Sequence, residues 1–292
     1  MQSNNPVFRR SEAFNGQVSG QGTNAYGNQT YPGNGAGYQG YGQAPGYDQQ
    51  QSATPTTTGR PMTIDSVVQK TGIALAVVIV FATITWWYVG DISHTDSPDF
   101  EKNLGLLYGA LMIGSFGAFG LSLVNSFKRV VSPALVIAFC ALEGVALGAL
   151  SKFFDAQFGD GIVTQAVIGT FAAFAGTLAA YKFFNIQVGN KFRTFVIAAM
   201  FGMVGLGLLE MVLGAFGNQL GLFGFGGIGL LFAIAGLVLG VFMLILDFDF
   251  VEQGVAAGID ERESWRAAFA LTVSLVWIYT NLLRILAIFS QD

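Results

Sequence analysis

Seven apolar stretches of this chain are each long enough to cross the hydrocarbon core of a bilayer, a crossing that takes about 20 residues of helix. Only 11% of the 292 residues are charged and 52% are hydrophobic, whereas about 25% of residues in soluble domains are charged. The sequence therefore predicts an all-α, polytopic membrane bundle of seven transmembrane helices within residues 61–292. The predicted spans are residues 71–89, 104–126, 132–150, 162–184, 194–216, 227–248 and 265–289.

Residues 1–60 differ from the rest of the chain in composition. They are rich in Gly, Gln, Tyr and Asn and contain few aliphatic side chains. Such a segment cannot bury enough apolar area to offset the entropy lost on ordering, so we expect a disordered cytoplasmic tail. A plain solvated tail is the simpler interpretation. The alternative is a docking tail, whose tyrosines and the threonines at 56–58 would bind a partner protein.

Positive charges are concentrated on one side of the predicted spans. Most of the 14 lysines and arginines precede the first span or follow the second, fourth and sixth spans. The loop after the first span carries Asp91, Asp96, Asp99 and Glu101 instead. Because cytoplasmic loops are the ones enriched in Lys and Arg, we expect a multi-pass protein of the cell membrane with a cytoplasmic N-terminus and a C-terminus outside.

The loop before the seventh span contains more acids than bases. Asp260 and Glu263 are three residues apart and come directly before the apolar stretch. This spacing is typical of a capping box, so we expect these two acids to begin the seventh helix rather than to bind a ligand.

Four ionisable side chains lie inside the apolar stretches: Glu143, Glu210, Asp247 and Arg284. Charged groups are costly within a bilayer, so each is a functional-site candidate. With a rise of about 1.5 Å per residue, Glu210 and Arg284 fall at a similar depth near the outer side, and we expect them to form a buried ion pair. Asp247, Glu143 and Glu210, with the polar Asn281, are also candidates to line a path for protons or cations.

Asp247 is the candidate gate, because its protonation is expected to report cytoplasmic pH. A neutral carboxyl group would close one set of contacts, and an ionised one would open them or bind a cation. Asp249 is grouped with this gate but cannot pair with Asp247 on a regular helix, where residues two apart point about 200° away from one another. At the membrane edge, solvation of Asp249 and Glu252 is the simpler interpretation. Asp247 and Glu143 are the candidate Ca²⁺ contacts.

Glycines recur at helical spacing within the spans. A bilayer gives helices no hydrophobic reason to associate, so small residues that allow close backbone approach supply the contact. We interpret these glycines as packing positions: Gly144 and Gly148, Gly236 and Gly240, and Gly114, Gly117 and Gly120.

Several motifs together resemble one known family. The seven spans, the acidic end of the sixth span in Leu246-Asp247-Phe248-Asp249 and the final Asn281-Leu282-Leu283-Arg284 resemble the Bax inhibitor / YccA-like family, also called the transmembrane Bax inhibitor motif family. The resemblance covers about residues 62–292. The beginning of the chain (Asn4, Pro6, Phe8 and Arg9) and Ala141-Leu142-Glu143-Gly144 are similar to the actinobacterial branch.

The resemblance implies a bundle whose last helix is central and surrounded by the other six, and a pH-sensitive calcium leak. In the family, two aspartates share a proton and latch the pore from the cytoplasmic side. Asp247 matches the first aspartate, whereas the second falls on Ser274 in this chain. Asp247 is then expected to bond Ser274, or to take Glu143 as its substitute acidic partner.

The leading functional hypothesis is therefore a pH-gated leak for Ca²⁺ or another cation through the lipid bilayer, with no bound cofactor. The alternative is a non-conducting regulatory protein that binds a membrane protease or another partner through its tail. No catalytic set of residues is visible in the spans, which argues against an enzyme. The single cysteine, Cys140, excludes an intramolecular disulfide and a cysteine-based metal site, and nothing indicates nucleic-acid binding.

Overall fold

A computed structural model of the protein describes residues 60–159 and 161–291, so the predicted tail, up to residue 59, lies outside the described residues. Seven α-helices are present, all long and apolar enough to span a membrane, which confirms the predicted fold class. A single 3-10 turn, Glu261–Glu263, precedes the last helix. The helices are α1 Ile64–Val89, α2 Phe100–Phe127, α3 Pro133–Phe158, α4 Ile162–Phe183, α5 Asn190–Ala215, α6 Gly227–Ala256 and α7 Ser264–Phe289.

The odd-numbered helices begin at one end of the bundle, which we call the basic end because the basic loops lie there. Met62, just before α1, donates its N–H to the carbonyl oxygen of Ile259, just before α7, at 2.7 Å. The Arg266 guanidinium in the first turn of α7 donates to the carbonyl oxygen of Arg129 in the α2–α3 loop at 2.9 Å. The consecutive helices therefore alternate in direction, as expected for repeated crossings of a membrane.

The last helix is at the centre of the bundle, as predicted. Helices α3 and α7 are the most buried of the seven, and α7 packs against α6, α1, α4 and α3. The expectation that six helices surround α7 is wrong. Instead, α2 packs on the outer side of α3, and α5 packs on the outer side of α6. The arrangement is a core of five helices with one peripheral helix on each side.

Helix α5 meets the bundle along a narrow seam. Its buried residues, Val196, Met203 and Glu210, are spaced seven residues apart. A seven-residue repeat keeps one stripe of a helix facing a neighbour. The rest of α5 exposes large apolar side chains such as Phe201, which suits contact with lipid.

The start of α1 is fixed by a capping box that was not predicted from the sequence. The Thr63 side chain accepts the N–H of Ser66, and the Ser66 hydroxyl accepts the N–H of Thr63, both at 3.1 Å. The Ser66 hydroxyl also lies 2.7 Å from the hydroxyl of Ser264 at the start of α7. These contacts join the beginning of the first helix to the beginning of the last.

The predicted capping box of Asp260 and Glu263 is not formed. Asp260 accepts the N–H of Arg262 and so begins the short 3-10 turn. Glu263 instead forms an ion pair with Arg266 one turn further along, at 2.8 Å. Because the 3-10 turn places the start of α7 at Ser264, Asp260 and Glu263 are not at the N-cap and N3 positions that a capping box requires.

Most of the predicted packing glycines face another helix closely. A Cβ atom at Gly148 would lie 2.9 Å from the Cα atom of Ala82 on α1, and one at Gly144 would lie 2.8 Å from the Cβ atom of Phe81. Gly120 is the exception, since an added Cβ atom there would meet open space. The packing role is confirmed at the remaining positions, which are Gly114, Gly117, Gly144, Gly148, Gly236 and Gly240.

We expect Gly148→Ala to lower the thermal stability of the detergent-solubilised protein. The added methyl group would collide with the backbone of α1, and overpacking of this kind costs about 1–3 kcal/mol. Gly120→Ala is the matched control, because the same substitution meets no neighbour there and improves helix propensity. Equal melting temperatures for the two variants would contradict the close approach of α1 and α3.

Candidate functional site

Asp247 lies in the second half of α6 on the face that meets α7. Its side chain is buried, with 6% exposure, and Ser274 of α7 is completely buried. The Ser274 hydroxyl donates to Asp247 Oδ2 at 2.5 Å. The hydrogen bond expected between these two residues is therefore present, and it joins α6 to the central helix.

The surroundings of this bond are apolar. Phe248 follows Asp247 directly, and Leu275 follows Ser274; both belong to a buried cluster between α6 and α7. No lysine or arginine of the described chain forms an ion pair with Asp247. The carboxyl group thus depends on one neutral donor, an arrangement that suits a protonated acid better than an ionised one.

Asp247 is also deeper in its helix than the predicted span implied. The predicted span ends at residue 248, one residue after Asp247, but α6 continues to Ala256. Nine further residues of helix correspond to about 14 Å. Polar residues of this extension, including Asp249 and Glu252, bond to neighbouring helices, which explains why the helix outlasts the apolar stretch.

Asp249 points away from Asp247, as the helical geometry predicted, but it is not solvated. It is buried, and its Oδ2 atom accepts bonds from Arg193 of α5 and from Gln253, both at 2.7 Å. Glu252 is exposed, yet it accepts a hydrogen bond from the Tyr181 hydroxyl at 2.6 Å. Solvation of Asp249 is therefore the wrong interpretation. Asp249 fastens α5 to α6 at the basic end.

The predicted ion pair between Glu210 and Arg284 is not formed. The Glu210 carboxylate accepts the backbone N–H groups of Leu220 and Gly221, each at 2.9 Å. The Arg284 guanidinium donates to the carbonyl oxygen of Leu222 at 2.6 Å. Both side chains bind backbone groups of the α5–α6 loop. Glu210 and Arg284 do lie at a similar depth, and both contact the same loop. Each of them binds backbone groups of this loop and not the other side chain.

Arg284 also lies over aromatic rings. Its guanidinium carbon is 5.4 Å from the centre of the Phe223 ring and 6.0 Å from that of Phe232. Cation–π contacts of this kind make a desolvated cation tolerable. The arginine is therefore a structural anchor at the end of the bundle opposite to the basic end.

Glu143 is half-buried in α3 and does not join Asp247. The packing partners of α3 are α1, α2, α7 and α4, whereas Asp247 belongs to α6. The expected substitution of Glu143 for the second acid is therefore not observed, and Ser274 holds that position. The proposed pair of Ca²⁺ contacts, Glu143 and Asp247, is likewise not brought together.

Asn281 lies at the α6–α7 interface rather than in an open path. Its carboxamide packs on Gly236 and donates to the carbonyl oxygen of Trp277 at 2.8 Å. The Trp277 indole in turn donates to the carbonyl oxygen of Gly236 at 2.8 Å. These bonds lock the two helices about two turns from the Asp247–Ser274 contact.

Among the described residues, no group of three or more His, Cys, Asp or Glu side chains could hold a metal ion. The site as built can hold one proton on one carboxyl group. A change of charge at Asp247 would alter the contact between α6 and α7.

Sequence reasoning missed the partners of these carboxylates. Arg193 lies in the first turn of α5 and Asp249 in the last third of α6, and two consecutive antiparallel helices bring such positions to the same end. The sequence therefore contained the information needed to predict the pair of Arg193 and Asp249. The bond between Ser151 of α3 and Tyr279 of α7, at 2.6 Å, carried no comparable signal, because it depends on which faces of two distant helices meet.

Comparison with known proteins agrees with this architecture. A family model described as Bax inhibitor 1 like matches residues 5–291, nearly the whole chain. No curated protein matches the chain. The match confirms the resemblance found in the spans and in the ends of the last two helices, and we conclude that the chain belongs to the Bax inhibitor 1 like family.

Proposed function

We propose that this multi-pass membrane protein is a pH-sensitive cation leak, with calcium as the permeant ion, in which protonation of Asp247 sets the open or closed state. The protein would lie in the cell membrane with its basic end in the cytoplasm, as the distribution of Lys and Arg favours. Asp247 would then respond to cytoplasmic pH.

One observation carries the proposal: Asp247 differs from the other buried acids in the kind of partner it has. Asp249 and Glu263 form ion pairs with arginines, and Glu210 accepts two backbone N–H groups. Such partners favour the ionised carboxylate. Among the described residues, Asp247 receives one hydrogen bond, from the Ser274 hydroxyl, so no second donor and no positive charge compensates an ionised carboxylate there.

The two protonation states would act on the contact between α6 and α7. A neutral carboxyl group keeps the hydrogen bond in apolar surroundings at little cost, which holds the two helices together. An ionised carboxylate there is costly unless water or a cation reaches it. Loss of the proton therefore favours a state in which the helices separate at Asp247 and a cation enters, since oxygen ligands suit Ca²⁺.

We expect Asp247→Asn to abolish the pH dependence of calcium flux into liposomes that carry the purified protein. Wild-type flux should be larger at about pH 8 than at about pH 6, by roughly 5- to 150-fold, the range given by a coupling free energy of about 1–3 kcal/mol. The variant should stay at the lower flux at both pH values, because an amide cannot ionise but can still accept the Ser274 bond.

Glu252→Gln is the matched control, since Glu252 lies on the same helix but is exposed. Its pH dependence should equal that of the wild type. A wild-type protein that conducts at neither pH would overturn the proposal, as would an Asp247→Asn protein with an unchanged pH response.

Ser274→Asp offers a separate test, because it restores the two-aspartate arrangement of the family at 2.5 Å contact distance. Two carboxyl groups that share one proton titrate as a coupled pair. We expect the flux of this variant to depend on pH in two resolved steps, measured in the same liposomes across closely spaced pH values. A single step identical to that of the wild type would show that position 274 takes no part in gating.

A second function is favoured by the segment that leads from the tail into α1. This segment is clasped to the loop before α7: Glu261 donates its N–H to the carbonyl oxygen of Arg60 at 2.8 Å, and Lys70 forms an ion pair with Glu261 at 3.2 Å. A partner that binds the tail, such as a membrane protease, would therefore pull directly on the central helix. In this alternative the protein regulates a partner and does not conduct.

Deletion of residues 1–59 separates the two functions and leaves the clasp intact. For the leak we expect calcium flux and its pH dependence to be unchanged, because the gate contains no tail residue. For the regulatory alternative the deletion should abolish partner binding, measured by co-purification from native membranes. Loss of flux on deletion would contradict a gate confined to α6 and α7.

A further inference from the structure

A cavity of about 450 Å³ lies between α1, α3, α4 and α7, away from the Asp247 site. Pockets that hold small ligands measure about 300–1,000 Å³, so its size is that of a binding site. Its floor is made by side chains of α3 and α7 that are buried, including Leu147, Ser151, Leu275 and Tyr279.

The cavity spans half of the membrane-crossing length. Along α1 it extends from Leu75 to Trp86, which is about 16 Å of helix. The hydrocarbon core of a bilayer is about 30 Å thick, so one leaflet contributes about half of that. Trp86 is close to the end of α1, so the cavity runs from the end of the bundle opposite to the basic end down to the middle.

The rim of the cavity is exposed on the side of the bundle. Ile79 of α1 is 53% exposed, and Val167 and Phe171 of α4 are 39% and 47% exposed, and all three line the cavity. Helices α1 and α4 stand on either side of this opening. In a membrane, the molecules that face such an opening are lipids.

The walls are suited to a hydrocarbon chain. Most of the lining side chains are apolar, and most of the hydroxyl groups among them have hydrogen-bond partners. Ser151 bonds with Tyr279 and with the carbonyl oxygen of Leu147, while Thr83 and Thr170 bond to carbonyl oxygens of their own helices. A row of water or cations would find few free ligands on these walls.

The charged groups at this cavity lie at its mouth. Asp155 lines it near the end of α3, and the Lys152 ammonium lies 4.8 Å from the centre of the Trp86 ring. Trp and Lys near the end of a span are typical of the interface where lipid head groups lie. From its mouth to its deep end, the lining of the cavity therefore changes from polar to apolar, as one leaflet of a bilayer does from head groups to hydrocarbon.

We propose that this cavity binds one acyl chain of a membrane lipid, which enters between α1 and α4 with its head group at the Trp86 and Lys152 mouth. The chain would lie along the buried floor formed by Leu147 and Ser151. This inference does not rest on the proposed leak, because it uses a different cavity and different residues.

The test is photolabelling with phosphatidylglycerol that carries a diazirine in the half of one acyl chain nearer to the head group, which is the depth of Leu147 and Ser151. The full-length protein is reconstituted in vesicles of this lipid and phosphatidylcholine, irradiated, and mapped by mass spectrometry. A chain in the surrounding bilayer can label exposed residues such as Ile84 and Ile168. Only a chain inside the cavity can label the buried Leu147 and Ser151, and we expect label there.

Val167→Phe should abolish labelling of Leu147 and Ser151 and leave labelling of Ile84 unchanged, because the larger side chain fills the opening. Ile168→Phe is the matched control: it is the neighbouring position, 64% exposed, does not line the cavity, and should change nothing. Thr83→Phe fills the opening from α1 and serves as the second variant if Val167→Phe elutes as aggregate in gel filtration.

Labels confined to exposed positions in the wild type would overturn the proposal. Labelling of Leu147 and Ser151 that survives both filling variants would do the same, because the label would then have arrived by another route. Neither outcome depends on calcium flux, so the test is separate from that of the leak.

Discussion

Apolar helices in a bilayer gain no hydrophobic free energy by meeting one another, so this bundle depends on backbone contact at glycines and on a small number of buried polar bonds. Gly144 and Gly148 let α3 rest on α1, and Gly236 and Gly240 let α6 rest on α7. The polar bonds that Ser274 and Trp277 donate to α6 then fix which faces of α6 and α7 meet. The central position of α7 follows from these contacts rather than from its hydropathy.

The same constraint decides what the buried charges do. A charge inside the bundle is tolerated when its partners match it in either of two ways: a second charge, as for Asp249 with Arg193, or several backbone dipoles, as for Glu210. These groups stabilise one arrangement of the helices. Asp247 has a weaker match in a single hydroxyl group, and its surroundings are apolar. Of these three acids, Asp247 is therefore the one with the fewest compensating partners.

The number and order of the helices were predictable because hydropathy records them directly. Helical spacing predicted most of the packing glycines and the opposite directions of Asp247 and Asp249. The pairing of Glu210 with Arg284 was not predictable. Depth along a helix can be counted from the sequence, but the direction in which a side chain points depends on how each helix is rotated by its neighbours. The expected solvation of Asp249 was wrong for a related reason. Helix α6 continues beyond its apolar stretch and brings this acid into contact with α5.

Helix α5 has the properties of a spacer held at both ends. Its seam against α6 is narrow, and strong polar contacts are found at Arg193 and at Glu210. These two positions are separated by about 26 Å of helix, slightly less than the roughly 30 Å of a typical hydrocarbon core. A bilayer of different thickness would therefore strain the contacts of Arg193 and Glu210 at the same time. Because Arg193 holds Asp249, two residues from Asp247, a change in membrane thickness would act through α5 on the segment of α6 that contains Asp247.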